Sequence, residues 1–453
     1  MGLSWKDRDF YRTMIAIALP ITLQNLIASS VNMLDTLMIT SLGEKNLAAV
    51  GLANQVFFFY GVTIFGIATG SSIFIAQFWG KRDTTNIRKV LGLSLSIGSV
   101  IGIIFTLAAL FIPEEIMQIF SSDREVIRLG VEYLRIVAFT YILTGFSFSY
   151  AVASRSIGQA KMPMVVSIVS FVTNGLFNYL LIFGKFGFSE LGIRGAAYGT
   201  LIARVVELAL ILYSIYSTDG PLAGGIKEMT CWNKSFVKRY FKTTYPVILN
   251  EALWALGTVL YSIAYAKIGT EAAAAVQILN TVQNLFMVMT RGLGNACTVM
   301  VGNKIGAGEE ELAIEYANKY LIISAMLGLG LGIILFFTSD LILKIFRNLT
   351  PELYYISKKL LTVFSIFFFI KAFNGTMIVG VLRGGGDTKF SMLLEMGAVW
   401  FVGVPLAFLG SLVFKLPVYY VMALVYIEEI VKAIIGMFRI ISKKWVTNVV
   451  GDM

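Results

Sequence analysis

The sequence predicts an all-α integral membrane protein with twelve transmembrane helices, arranged as two parallel six-helix repeats. Hydrophobic residues occupy 57% of the 453 positions and charged residues only 14%, against about 25% charged residues in soluble domains. The apolar segments reach the length of about 20 residues that a bilayer core requires. Their pattern also recurs in the second half of the chain. The composition and the segment length exclude the soluble classes of protein, and the recurrence predicts the repeat.

Twelve apolar segments, separated by short charged connections, are expected to cross the membrane. The longest connection, 218–240, contains glycine, proline and several basic residues, which is typical of a linker. It divides an N-terminal lobe, 1–217, from a C-terminal lobe, 241–453. The segments cover residues 13–40, 47–79, 90–113, 131–153, 163–184, 194–217, 241–267, 273–301, 317–338, 360–382, 392–414 and 417–441.

The distribution of charge predicts the orientation of the chain in the cell membrane. An even number of spans places both termini on one side, and lysine and arginine are more frequent in the connections of that side. This excess predicts cytoplasmic termini and a cytoplasmic linker. It also accounts for the net charge of +10 without a nucleic-acid partner. The expected partners are the lipid bilayer and small organic substrates, and the chain is expected to be monomeric.

The two halves share motifs as well as hydropathy. Pro20 and Pro246 lie 226 residues apart, and the other matching residues keep this distance or one close to it. Because six spans per repeat is an even number, the repeats enter the membrane from the same side and are parallel. Two lobes with a central cavity and alternating access by rocking are therefore expected. The further pairs are Gly43 with Gly269, Gly80 with Gly306, Arg155 with Arg383, Gly158 with Gly386 and Lys161 with Lys389.

Several of these motifs resemble those of the multidrug and toxic compound extrusion (MATE) transporters. The resemblance covers nearly the whole chain and implies a V-shaped antiporter that exports amphiphilic, often cationic organic compounds in exchange for sodium ions or protons. Lipid-linked glycan flippases of the same superfamily are the alternative, although they typically have more spans. The motifs are PITLQNLIASSVNMLDTLMITSLGEKNLAAVGLANQV, GKRD, GNKIGAGE, SRSIGQAKMP, LRGGGDTK and NGLFNYLLIFGKFGFSELGIRGAAYGT.

Asp35 is the main candidate for ion coupling. It lies in the first predicted span, where a carboxylate is costly and usually functional, and it matches the first-span aspartate to which the resemblance assigns coupling. Asn174 and Asn178 are one helical turn apart on span five, and Thr200 on span six is expected to complete a polar cluster with Asp35. The resemblance suggests that this cluster binds the cation.

The candidate cluster departs from the family pattern in one respect that bears on the coupling ion. Asn178 stands where the family usually has a second aspartate, and Tyr179 replaces the usual proline. A single carboxylate favours proton coupling over sodium coupling, although both remain open, with sodium bound at Asp35, Asn174 and Asn178. No other metal or cofactor is expected.

Charged residues in the other spans are expected to form buried pairs. Glu251 in span seven and Lys371 in span ten are predicted to neutralise each other in the C-terminal lobe. Two further pairs have helical spacing and are expected to be structural: Arg204 with Glu207, and Glu428 with Lys432.

The repeat preserves the scaffold but not its polar residues. Asp35 aligns with Tyr261 at the distance of 226 residues, so the coupling chemistry is expected in the first half. The chain contains no histidine, its two cysteines lie far apart, and no nucleotide-binding phosphate loop occurs. These features argue against an enzyme and against a nucleotide-driven pump.

Overall fold

The computed structural model describes residues 7–346 and 349–451, so the outermost residues of the predicted lobes, 1–6 and 452–453, lie outside it. The described residues form α-helices joined by short connections. They contain no β-strand, and an isolated β-bridge joins Gly386 to Val446. The all-α prediction is therefore confirmed for this part of the chain.

The first half contains six long helices and one short helix, α4. The short helix begins with Pro113 in its first turn, where the missing amide hydrogen is tolerated, and the sequence analysis did not predict it. The bounds are α1 Arg8–Thr40, α2 Glu44–Gly80, α3 Thr84–Phe111, α4 Pro113–Phe120, α5 Arg124–Ser156, α6 Lys161–Phe183 and α7 Ile193–Tyr216.

The second half follows a short helix, α8, in the predicted linker. Three π-helical segments, Thr376–Arg383, Val399–Gly403 and Leu409–Val413, extend or connect the later helices. Such segments are rare and often lie at functional sites. The bounds are α8 Ile226–Thr230, α9 Lys234–Ala266, α10 Thr270–Gly306, α11 Glu310–Leu343, α12 Pro351–Gly375, α13 Thr388–Ala398, α14 Val404–Phe408, α15 Val418–Val425 and α16 Ile427–Ile441.

Eleven helices of the described residues are long and apolar enough to cross a membrane. Two of them include π-helical segments, namely Pro351–Arg383 and Thr388–Val413. The twelfth predicted span, 417–441, is interrupted at Tyr426 between α15 and α16. Each of these two helices is shorter than the about 20 residues that a bilayer core requires.

The duplication is visible in the helix bounds. Helices α1 and α9 each contain 33 residues and begin 226 positions apart, and each has its proline inside the helix. Helices α2 and α10 each contain 37 residues and also begin 226 positions apart. The equal lengths show that the sequence repeat is a repeat of structure.

The matching loops also adopt matching backbone conformations. Gly158 and Gly386, which follow α5 and the π-helical extension of α12, have φ angles of 81° and 86°. Glycine enters this left-handed region without the steric penalty of a Cβ atom. The recurrence of glycine in both motifs is therefore explained by the shape of the turn.

The chain divides into two compact units. The N-unit contains residues 19–79 and 83–244, and the C-unit contains residues 7–18, 80–82 and 245–451 within the described part. The main division, between Thr244 and Tyr245, lies close to the predicted start of the second lobe. The assignment of residues 7–18 to the C-unit differs from the predicted boundaries.

Contacts of Lys319 explain why the beginning of the chain belongs to the C-unit. The side chain of this α11 residue is fully buried, and its ammonium lies 3.2 Å from Asp7 and 2.9 Å from Glu315. It also lies 4.9 Å from the ring centroid of Phe10, a favourable cation–π arrangement. A buried ammonium requires such partners, and Asp7 supplies one of them.

Glycines on α11 allow α12 to pack closely against it. A Cβ atom at Gly332 would lie 2.5 Å from the carbonyl oxygen of Ser365, and one at Gly328 would lie 2.8 Å from the Cα atom of Phe369. A Cβ atom at Gly330, on the same helix, would meet no atom within 4 Å. The close face of α11 therefore needs glycine at Gly328 and Gly332.

We expect the substitution Gly332→Val to destabilise the protein, because the new side chain would force α11 away from α12. Overpacking of this kind costs about 1–3 kcal/mol. The thermal unfolding midpoint of the purified protein in detergent measures the effect. Gly330→Val is the matched control and should leave the midpoint almost unchanged. Equal midpoints for the two variants would contradict the packing argument.

Candidate functional site

Asp35 lies in the N-unit, close to the C-terminal end of α1. Its carboxylate accepts a hydrogen bond of 2.6 Å from the side-chain amide of Asn178 on α6. Hydrogen bonds to an ionised carboxylate are stronger than those between neutral groups. This contact therefore links α1 to α6 through the carboxylate.

The four predicted residues of the cluster lie together. The amide nitrogen of Asn178 is 3.4 Å from the side-chain oxygen of Asn174, and the amide nitrogen of Asn174 is 3.5 Å from the hydroxyl oxygen of Thr200. Asn174 and Asn178 are buried. The structure thus connects Asp35 to α7 through two amides, while the roles assigned to these residues in coupling stay predictions.

Gly199 on α7 fixes the position of Asn178. A Cβ atom at Gly199 would overlap the side-chain oxygen of Asn178, so the two helices approach each other closely there. That buried oxygen has no hydrogen-bond partner among the described residues. The amide nitrogen of Asn178, rather than this oxygen, is the atom turned to Asp35.

Two residues that the sequence analysis did not assign to the cluster lie beside it. Tyr133 on α5 is buried and lies next to Thr200, within electrostatic range of Asp35. Arg204 on α7 also acts on Asp35 electrostatically. No local pattern distinguishes Tyr133 from the other tyrosines, whereas the position of Arg204, one turn after Thr200, could have indicated its proximity.

The predicted pair of Arg204 and Glu207 is confirmed. Their charged atoms are 2.6 Å apart, and Glu207 also lies 3.4 Å from the hydroxyl of Ser170. Arg204 is therefore already held by one carboxylate. Asp35 is held by a neutral amide, so its own charge is not cancelled by a direct partner.

The N-unit cluster has the chemistry to bind a proton or a monovalent cation, and binding of either ion stays a prediction. Its oxygen donors are one carboxylate, two amides and a hydroxyl, which suit a hard cation such as sodium. Among the described residues, no three histidine, cysteine or acidic side chains come together as a metal site. Protonation of Asp35 would neutralise the same charge without any ligand geometry.

In the C-unit, the predicted pair of Glu251 and Lys371 is wrong. Arg383, at the end of the first π-helical segment, is 4% exposed and lies 2.7 Å from Glu251 and 3.3 Å from Glu395. The amide of Asn250 donates a further hydrogen bond of 2.7 Å to Glu395. A guanidinium can bind two carboxylates at once, and Arg383 is the partner of Glu251 that Lys371 was expected to be.

Lys371 pairs instead with an acidic residue of α16. Its ammonium lies 3.7 Å from Glu429 and 5.3 Å from the ring centroid of Tyr426. The predicted pair of Glu428 and Lys432 is confirmed at 3.2 Å. The sequence could have indicated Arg383, because it belongs to the repeated motif, but not its two partners.

Comparison with known proteins gives two matches to one family model, MatE. The matches cover residues 20–180 and 246–409. Their starting points are Pro20 and Pro246, the residues that mark the internal repeat. Each match therefore corresponds to one copy of the duplicated unit.

Curated relatives match over most of their length. The chain is 26% identical to a "Probable multidrug resistance protein NorM" of Thermotoga maritima, over 96% of this chain and 93% of the relative. It is 25% identical to a "Probable multidrug resistance protein YoeA" of Bacillus subtilis, over 90% and 88% of the two chains.

Solved structures share the fold. One is a MOP superfamily transporter from Pyrococcus furiosus, described as having a binding pocket of reversed polarity, with a TM-score of 0.85 at 20% identity over 95% and 96% of the two chains. Another is a multidrug resistance MATE family transporter in an outward-facing conformation, with the same score, identity and coverage. The twelve-span fold class predicted from the sequence is confirmed by these similarities.

We expect Arg383→Met to destabilise the protein strongly, because it leaves Glu251 and Glu395 buried without their cation. Breaking a buried ion pair in this way costs about 3–5 kcal/mol. The triple change E251Q/R383M/E395Q removes all three charges and should lose less stability. Unfolding of the purified protein in detergent measures both variants.

The control for this prediction is Lys358→Met, which removes one partner of an exposed pair with Asp340. Exposed pairs contribute about 0–1 kcal/mol, so this variant should unfold close to the wild type. Equal losses for the single and triple changes at Arg383 would show that the ion pairs are not what stabilises this region.

Proposed function

The chain belongs to the MatE family, and on this basis we propose that it is a secondary active antiporter of the cell membrane with cytoplasmic termini. In this proposal it exports amphiphilic, often cationic organic compounds in exchange for protons or sodium ions. The observation that carries the proposal is the Asp35 carboxylate, held inside the helices of the N-unit by the neutral amide of Asn178. An ionisable group within a membrane-spanning helix usually takes part in ion movement.

Neutralisation of Asp35 is the coupling event in this mechanism. The hydrogen bond from Asn178 is charge-assisted while Asp35 is ionised and becomes weaker once a proton or cation neutralises the carboxylate. The attachment of α1 to α6 therefore differs in strength between the two states of charge. An ion can drive transport only if it binds the two conformations of the protein unequally. In this proposal the contact between Asp35 and Asn178 is made in one of the two conformations, and its loss in the other supplies the difference.

The relatives support a role in export, since those from Thermotoga maritima and Bacillus subtilis are both described as probable multidrug resistance proteins. The charge of the substrate needs a separate test, because the similar Pyrococcus furiosus transporter is described as having a pocket of reversed polarity. A panel should therefore contain organic cations, organic anions and neutral amphiphiles of similar size. Transport restricted to lipid-linked glycans would favour a flippase instead.

We expect Asp35→Asn to abolish gradient-driven transport, because an amide cannot change its charge. Proteoliposomes containing the full chain are loaded with a lipophilic cationic dye, and an inward gradient of protons or of sodium ions is imposed. Dye efflux should fall to the rate of liposomes without protein. Asp340→Asn, an exposed acid of α11, is the control and should keep the wild-type rate. Full efflux by Asp35→Asn in both gradients would disprove the role of Asp35.

We expect Asn178→Asp to shift the coupling preference towards sodium. A second carboxylate next to Asp35 would repel the first unless a cation or proton lies between them. The sodium concentration for half-maximal stimulation of efflux should fall at least tenfold, which corresponds to about 1.4 kcal/mol. The control is Asn54→Asp, an exposed asparagine of α2. If both variants respond to sodium alike, the second carboxylate does not determine the ion.

A further inference from the structure

We propose that the C-unit contains a cation-binding site that is occupied by the chain's own Lys432. In this proposal the Lys432 ammonium takes the place of an ion from solution, so coupling ions bind to the N-unit alone. The assignment of the site rests on contacts within the C-unit. Its consequence for coupling rests on the proposed antiport function.

The carboxylates of two successive glutamates converge on the Lys432 ammonium. Glu428 and Glu429 lie in the first turn of α16, and their oxygens lie 3.2 Å and 3.4 Å from the nitrogen of Lys432. The three side chains are between 5% and 7% exposed. Burial of these charges is tolerated only if they are paired with one another.

Neutral donors occupy the other oxygens of the two carboxylates. The hydroxyl of Tyr261 on α9 donates a hydrogen bond of 2.5 Å to Glu428, and the amide of Asn374 on α12 donates one of 2.7 Å to Glu429. Each glutamate thus turns one oxygen to a neutral group and the other to the ammonium. Carboxylate oxygens are also the ligands that hard cations prefer in proteins.

Asn374, which donates to Glu429, also leaves a buried side-chain oxygen unpaired next to this cluster in the described part of the chain. Asn374 is 2% exposed, and this oxygen has no hydrogen-bond partner among the described residues. Lys371, 3.7 Å from Glu429, balances the second negative charge. Without Lys432 the cluster would carry two carboxylates and one ammonium, and its unbalanced charge would attract a cation.

The internal repeat shows that the two units arrange these charges in opposite order. Helix α7 ends at Tyr216 and α16 at Ile441, 225 positions later. At this distance, Glu429 corresponds to Arg204 and Lys432 corresponds to Glu207. Arg204, the cation of the N-unit pair, therefore corresponds to an acid in the C-unit. Glu207, the acid of the N-unit pair, corresponds to the ammonium of Lys432.

The first helices of the two repeats also differ at a corresponding position, where the N-unit has an acid and the C-unit a tyrosine. Asp35 on α1 corresponds to Tyr261 on α9 at the distance of 226 residues, and Tyr261 contacts the glutamate–lysine cluster. The N-unit therefore contains a carboxylate without a directly bound cation. In the C-unit, the carboxylates are bound by a cation that is itself a side chain of the protein, Lys432.

The test compares two substitutions of Lys432 that differ in the space they leave. Lys432→Ala removes the ammonium and opens a cavity, whereas Lys432→Met removes the charge and fills most of the same space. The full-length variants are purified in detergent, and their thermal unfolding midpoints are measured in methylammonium, sodium or potassium chloride. N-methylglucamine chloride, whose cation is too large for the cavity, keeps the ionic strength constant.

We expect methylammonium or an alkali ion to raise the midpoint of Lys432→Ala in a saturable way, towards that of the wild type. Lys432→Met and the wild type should show no such response. The double variant E428Q/K432A has the same net charge as the wild-type cluster and should fold without a response. Identical responses of Lys432→Ala and Lys432→Met would overturn the proposal and leave the cluster a structural ion pair.

A variant that is difficult to fold can still decide the question. If Lys432→Ala is recovered only when methylammonium or an alkali ion is present during purification, the site is supported. If none of these cations recovers it while E428Q/K432A folds normally, the proposal is wrong. These measurements concern binding and stability, so they can fail or succeed independently of the dye efflux that tests the antiport function.

Discussion

Placing a charged side chain among apolar helices is costly in free energy unless the charge is paired, and this cost constrains how the helices of this protein pack. Arg383 is 4% exposed and is bound by two carboxylates, and Lys432 is similarly buried between two glutamates. Lys319, which is fully buried, is held by Asp7 and Glu315. The positions of these charges determine which helices must approach each other, and glycines such as Gly199 allow the approach where side chains leave no space.

Against this background Asp35 is different, because the group that holds it is a neutral amide. The neighbouring cation, Arg204, is already paired with Glu207 at 2.6 Å. A carboxylate in such surroundings can take up a proton or a cation without breaking an ion pair first. This property connects the structure of the N-unit with the proposed exchange of substrate against ions, and it follows from the local arrangement of charges rather than from the fold.

The duplication separates what the two halves share from what they do not. Helices of equal length begin 226 positions apart, and the same prolines and left-handed glycines recur. The thickness of the membrane sets the helix lengths in both halves, and the left-handed turns require glycine in both. The polar residues have diverged within this scaffold. A carboxylate faces an amide in one unit, while a lysine lies between two glutamates in the other.

The sequence by itself determined the spans, the repeat and the grouping of Asp35 with Asn174, Asn178 and Thr200. Hydrophobic length and the spacing of residues along one helix are local properties, and the family resemblance supplied the relation between helices. The tertiary structure alone decided that Glu251 binds Arg383, that Lys371 binds Glu429 and that Tyr133 lies beside Thr200. Long charged side chains can reach several partners. Which partner they reach depends on how neighbouring helices are rotated and on π-helical turns such as Thr376–Arg383, neither of which leaves a periodic pattern in the sequence.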